Sequence, residues 1–123
     1  MRSSGPLRTL VGALLVLYLS APSLAAAEII AHRGASHDAP ENTLAAMRLA
    51  WDQKADAVEL DLWLSKDGRI VVLHDRDTKR VGGSAIPVAE QTWAEIGRVD
   101  VGAWKDPRFK DERIPTPATM ELP

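Results

Sequence analysis

Apolar and polar positions change period several times along this chain, and each change predicts an element. Ile29-Ile30-Ala31 is a short apolar run that stops at His32-Arg33-Gly34, the pattern of a buried strand with polar residues at its C-terminal end. Ala35 to Pro40 reads as a loop, because proline biases the residue before it away from helix. Leu44, Met47 and Trp51 follow i, i+3, i+7 spacing among alanines, which predicts a helix with one core-facing stripe. Asn42 is its expected N-cap, and Glu41 sits near the positive end of the helix dipole. From Ala57 to Leu64 the period falls to two. Val58, Leu60, Leu62 and Leu64 form the face expected to pack, and Glu59, Asp61 and Trp63 form the other.

Ser65-Lys66-Asp67-Gly68 reads as a turn, with Gly68 available for positive φ. Ile70 to Leu73 is a second apolar strand, ending at His74-Asp75. The gap between these strands has no room for a crossover helix, so they should form a hairpin. A hairpin centred on Lys66-Asp67 sets Glu59 opposite His74, and a three-residue loop with a Gly68 bulge shifts the register by one. Thr92-Trp93-Ala94-Glu95 has capping-box spacing and should open a short helix. From Gly97 onward there is no clear periodicity, and four prolines fall in the last 17 residues.

The first 27 residues carry a different pattern. Arg2 and Arg8 precede an apolar run from Leu10 to Leu19, and Ser20 to Ala27 is small and weakly polar. That order predicts a secretory signal peptide over 1–27, cleaved after Ala27, with a mature domain over 28–123. The run is shorter than the roughly 20 residues of a membrane span, so the expected product is exported, periplasmic or secreted, with no stable membrane anchor. Beyond the leader, thirteen basic residues face seventeen acidic ones, a net charge of −4 that argues against nucleic acid as a partner. The absence of cysteine excludes disulfides, thiolate metal sites and Cys nucleophiles. At 46% apolar and 26% charged, the body is globular rather than disordered in composition.

Glu59 and Asp61 are the first candidate chemistry. Two carboxylates on one strand face repel each other, and a hard dication such as calcium or magnesium resolves the conflict with the oxygen ligands it prefers. A solvated strand face beside Lys66 or Arg69 is the plainer alternative. The hairpin carries His74 to the same end of the sheet, and His32 ends its own strand. Two imidazoles beside a dication suit phosphoryl chemistry, one accepting the proton of a nucleophile and the other protonating a leaving oxygen. Arg33 can fork onto a phosphate. His37-Asp38 reads as a solvated loop, and Trp51, Trp93 and Trp104 as packing residues.

At these residues the chain resembles a known family. His32-Arg33-Gly34, Pro40-Glu41-Asn42-Thr43, Glu59-Leu60-Asp61, Lys66-Asp67-Gly68 and His74-Asp75, with Gly102-Ala103-Trp104-Lys105 and Arg113-Ile114-Pro115-Thr116, resemble the glycerophosphodiester phosphodiesterase family from about Ile29 to Thr116. The resemblance implies an α/β fold, the N-terminal part of a TIM (β/α)8 barrel that is incomplete in this chain. It implies hydrolysis of glycerophosphodiesters to glycerol 3-phosphate and an alcohol. It implies that His32 and His74 are the catalytic acid/base pair, that Arg33 binds the substrate phosphate, and that Glu59 and Asp61 ligate one divalent cation, Ca2+ or Mg2+. Glu41, Asn42 and Trp63 would border the site. In the family a neighbouring hydroxyl of the substrate is thought to attack phosphorus, and a later strand supplies a further metal carboxylate. Glu112 and Glu121 are poorly placed to replace it.

Two other readings stay open: a phospholipase of the sphingomyelinase D type, which shares the barrel and the paired histidines, and a non-catalytic secreted fragment. An incomplete arc of strands also leaves edges and an apolar face uncovered. The expectation is that this polypeptide alone is unstable and inactive.

Overall fold

The structure, a computed structural model, describes residues 27–120. The predicted leader, apart from Ala27, and residues 121–123, including Glu121, lie outside the described residues. Strand β1 (Ile30–Ala31), helix α1 (Leu44–Asp52) and strand β2 (Ala57–Val58) form one βαβ unit. β1 and β2 pair in parallel, with Ile30 beside Ala57 and Ala31 beside Val58. Strand β3 (Leu62–Leu64) and strand β4 (Ile70–Val72) form an antiparallel hairpin. Two one-turn helices follow, α2 (Lys79–Gly82) and α3 (Trp93–Ile96), and the remainder runs through short 3₁₀ turns and loops.

Two apolar clusters hold these pieces. Val71, Leu73, Val81, Val88, Ile96, Val101 and Ile114 bury one side of the hairpin against α2, α3 and the 99–114 loop, with Trp93 packed on the edge. Met47, Val72 and Met120 form a smaller cluster under α1, with Leu44, Val58 and Leu60 against it. Val71 and Val72 point to opposite clusters because neighbouring strand residues face opposite ways.

Several expectations change. The 57–64 segment is not one strand. It pairs with β1 as far as Val58, then leaves that partner and pairs with β4 from Leu62. Glu59, Leu60 and Asp61 lie in the interval where the chain changes partner. The packed face therefore holds only at Val58 and Leu60; Leu62 and Leu64 are 53% and 56% exposed, since the small cluster of Met47 and Met120 covers Val72 on that face of the hairpin and leaves these two leucines open. Ile29 and Ile30 are likewise exposed rather than buried, because β1 has a single neighbouring strand among the described residues. The hairpin takes the shifted register, with Trp63 opposite Val71 across a loop in which Gly68 has φ +81°. The Thr92 capping box is present, with Glu95 accepting from both the Thr92 amide and its hydroxyl.

The N-cap of α1 is Thr43, not Asn42. Thr43 has extended backbone, and its Oγ1 accepts from the Ala46 amide while donating to the Pro40 carbonyl. A cap must reach the third amide of the helix from outside it, and Asn42, at φ +57°, faces elsewhere. Glu112 meets the same helix end, accepting from the Ala45 amide.

Candidate active site

The site begins at the turn after β1. Arg33 adopts φ +58°, an uncommon conformation for a residue that carries a Cβ, and Gly34 follows at φ +78°. This double left-handed turn aims the Arg33 amide at Glu59, donating to Oε2 at 3.0 Å. The Arg33 guanidinium reaches Asp61 Oδ2 through Nε at 3.3 Å and Glu41 Oε1 through Nη1 at 3.3 Å. Asn42 closes the other side. Its amide donates to Asp61 Oδ2 at 2.9 Å and its oxygen accepts from the Asp61 backbone, while its own N–H donates to the Arg33 carbonyl. Freed from capping, Asn42 thus fixes Asp61, and its left-handed backbone belongs to that arrangement.

Both carboxylates consequently converge on Arg33 from the partner-switch interval. His32 lies beside them, with Nε2 3.9 Å from Glu59 Oε2 and a side chain 69% exposed. His74 follows Leu73, whose amide donates to the Asp61 carbonyl, so the end of β4 is tied to the same interval. The Trp63 indole N–H donates to the His74 carbonyl at 3.0 Å. His74 Nδ1 is 2.7 Å from Asp75 Oδ1.

The sequence names Asp75 only as part of the His74-Asp75 motif, with no role, and does not point to Arg80. Arg80 Nε donates to Asp75 Oδ2 at 2.8 Å, and its two terminal nitrogens fork onto Glu41 at 2.9 and 2.7 Å. The adjacency of His74 and Asp75 was the visible signal for Asp75. Nothing in the pattern marked Arg80, which sits on a single turn of helix. Arg80 holds the carboxyls of Glu41 and Asp75 below their usual range, helped by Arg33 and His74 at Glu41 and by His74 at Asp75; the two carboxylates raise the guanidinium in return. Asp75 is therefore ionised at neutral pH and can only accept. The proton in the shared bond then belongs on His74 Nδ1, which leaves Nε2 as the nitrogen for exchange.

The remaining candidates resolve simply. His37 is 97% exposed and pairs with Asp38, as a solvated loop should. Trp51 is half-buried and Trp93 packs on the larger cluster. Trp104 departs from a packing role: the residue is 41% exposed, with the Arg80 guanidinium 5.8 Å and the Lys105 ammonium 5.9 Å from its ring centroid.

Glu59 and Asp61 offer hard oxygens suited to a dication. Glu59 Oε1 and Asp61 Oδ1 make no hydrogen bond among the described residues, while their sister oxygens are oriented by Arg33 and Asn42. Two carboxylates are fewer than a full site, and no cluster of three or more metal-binding side chains occurs among the described residues. The pair therefore fits as part of a dication site.

A βαβ unit that carries an imidazole, an arginine and two acids beyond the C-terminal ends of its strands has the placement of a barrel-type α/β site, which lies at that end. The glycerophosphoryl diester phosphodiesterase family profile matches residues 32–122, and the chain belongs to that family. It is 50% identical over 88 residues to YhdW of Bacillus subtilis, covering 72% of this chain and 36% of that protein. It is 44% identical over 88 residues to a glycerophosphodiester phosphodiesterase of Caldanaerobacter subterraneus, with the same shares. Among solved structures it superposes on a glycerophosphodiester phosphodiesterase of Agrobacterium tumefaciens with a TM-score of 0.71 at 43% identity, covering 73% of this chain and 39% of that one. An Oleispira antarctica phosphodiesterase in complex with the product sn-glycerol-3-phosphate gives 0.71 at 41% identity, covering 74% and 37%. The chain thus spans little more than a third of the length of these relatives. Its fold is a partial N-terminal portion of their TIM barrel.

Proposed function

We propose that this chain carries the phosphate-binding and acid/base half of a dication-dependent glycerophosphodiester phosphodiesterase. The observation that supports this most is the convergence of Glu59 and Asp61 on Arg33, with His32 beside Glu59 and His74 at the end of the adjoining strand. Glu59 and Asp61 would hold Ca2+ or Mg2+, which when bound supplies positive charge against the phosphate and its developing anion. Arg33 adds a fixed guanidinium for a phosphate oxygen. One imidazole takes the proton of the glycerol hydroxyl as that oxygen bonds to phosphorus. The other gives a proton to the departing alcohol oxygen as its bond to phosphorus breaks. Water then opens the cyclic phosphate to glycerol 3-phosphate. With Nδ1 held by Asp75, His74 would exchange its proton through Nε2.

The test is release of glycerol 3-phosphate from sn-glycero-3-phosphocholine with Ca2+ or Mg2+, with and without a chelator. Dication-dependent release lost in Asp61→Asn supports the reading. Dication-dependent turnover of sphingomyelin in its place would move the chain to the sphingomyelinase D type, and metal-independent binding without turnover would make it a non-catalytic fragment. Export after cleavage at Ala27 is proposed on the leader pattern, and a mature N-terminus read by sequencing at Glu28 would support it.

A further inference from the structure

Arg80 is bound more tightly than a surface arginine needs to be. Three of its nitrogens make charge-assisted bonds, two as a fork on Glu41 and one to Asp75, and its guanidinium lies over the Trp104 ring. Isolated surface ion pairs contribute little, but a bidentate pair inside a network is the exception. The backbone is fixed as well. Val81 is buried in the larger cluster, Thr78 is fully buried, and Gly82 and Gly83 close the turn onto the Thr78 carbonyl. Gly82 also presses on Val99, where a Cβ would come within 2.3 Å of Val99 Cγ1. An arginine placed this firmly joins two groups otherwise far apart in the sequence: Glu41, which also touches Arg33, and Asp75, which holds the His74 ring.

We propose that Arg80 is the positioning residue of the site, aligning the His74 imidazole through Asp75 and the Arg33 guanidinium through Glu41. Arg80 need not touch substrate. It keeps Asp75 oriented so that one oxygen meets His74 Nδ1 and the other meets Arg80, much as a carboxylate orients the imidazole of a catalytic triad. The Trp63 indole holds the backbone of the same histidine from the other side. A lysine could supply the charge but not the fork and the Nε bond together.

The inference rests on the reading of His74 as an acid/base group, so its test has one readout from turnover and one that is independent of turnover. Arg80→Met, Arg80→Gln, Arg80→Lys and the control Arg76→Met are made in the full chain. Long-range 1H–15N correlation of the three imidazoles at about pH 8, where an ordinary imidazole is neutral, reports the tautomer of each. The expected result is an Nδ1-protonated His74 in the parent and in Arg76→Met. Arg80→Met and Arg80→Gln should show a mixture of tautomers, and Arg80→Lys an intermediate. With sn-glycero-3-phosphocholine, kcat should fall by about 10- to 100-fold in the Met and Gln variants, as when a supporting partner of a site histidine is removed, with KM little changed and part of the loss restored by lysine. An unchanged His74 tautomer in a folded Arg80→Met or Arg80→Gln chain overturns the proposal. If the parent turns over no substrate, the phosphodiesterase reading fails while the imidazole spectra still decide the role of Arg80.

Discussion

Gly34 and Gly68 both have φ near +80°, yet their surroundings separate them. A Cβ on Gly34 would lie 2.7 Å from the Ala46 backbone carbon and 2.8 Å from its Cβ, because the turn after β1 rests directly on α1. A Cβ on Gly68 would meet nothing within 4 Å at the tip of the hairpin. Gly68→Ala should therefore cost only the left-handed backbone penalty, about 1 kcal/mol. Gly34→Ala adds the clash and should cost about 3 kcal/mol or more. It should also turn the Arg33 amide away from Glu59. Urea unfolding of the two variants checks the order, and equal losses would mean that the turn can move off α1. Thr43 offers a second comparison at this scale. It is fully buried and its hydroxyl serves both Ala46 and Pro40, so Thr43→Ala should cost about 2 kcal/mol, near the upper end for a lost cap. Thr43→Ser, which keeps the hydroxyl, should recover most of that stability in the same measurement.

At the scale of elements, the ends of the loop from Val99 to Arg113 meet in a single antiparallel bridge, with the Val101 amide donating to the Glu112 carbonyl, and one carboxylate gathers the rest. Asp100 accepts from the amides of Gly102, Ala103 and Asp111, and Arg113 lies 3.6 Å away. The three amides, then the arginine, lower its pKa to about 2. A depressed carboxyl contributes stability that is fully present above its unfolded pKa, roughly 4, and is lost as pH falls through the folded value. The chain should lose stability progressively between about pH 4 and pH 2, and Asp100→Asn should flatten that slope while lowering stability at neutral pH. A slope unchanged in the variant would place the acid sensitivity elsewhere, for example at Glu41 and Asp75. The same loop shows how far the sequence could be read. Helix α1, the hairpin, its Gly68 turn and the Thr92 capping box follow from periodicity and from residues whose chemistry is local. Asp100, Arg80 and the break at Glu59–Asp61 do not. Each depends on a partner distant in the chain: Asp100 on Asp111, Arg80 on Glu41, and the break on strands contributed from both sides. A period-two pattern cannot show that a strand changes neighbours midway, because both halves keep the alternation. Spacing and motif single out the candidate acids and histidines, with Arg33 and Asn42 that orient the acids, whereas Arg80, whose partners lie far along the chain, carries no such mark.

The whole molecule is asymmetric in its packing. One side of the hairpin is sealed by Val71 and Leu73 against α2 and α3, while the other is covered at Val72 by Met47 and Met120 and exposes Leu62, Leu64 and Ile70; Ile29 and Ile30 in β1 are exposed as well. Water contact with that surface weakens a fold already short of core, and it invites association between chains, since exposed apolar strand faces adhere. The remedy can be predicted from the register. Leu64 and Ile70 are directly opposed across the hairpin, and both are at least half exposed, so replacing them removes little buried area. The pair Leu64→Lys with Ile70→Glu substitutes a cross-strand ion pair, contributing about 0.2–1 kcal/mol against an alanine pair. The double variant should stay monomeric at concentrations where the parent self-associates, bind less of a hydrophobic dye, and keep its unfolding midpoint within about 1 kcal/mol. The candidate site should be untouched, because Glu59 and Asp61 precede the hairpin and take their support from Arg33 and Asn42. Analytical ultracentrifugation with urea unfolding reads both effects. A large loss of stability would show that the Leu64–Ile70 face packs against something in solution. A loss that scales with protein concentration would identify that contact as a second copy of this chain.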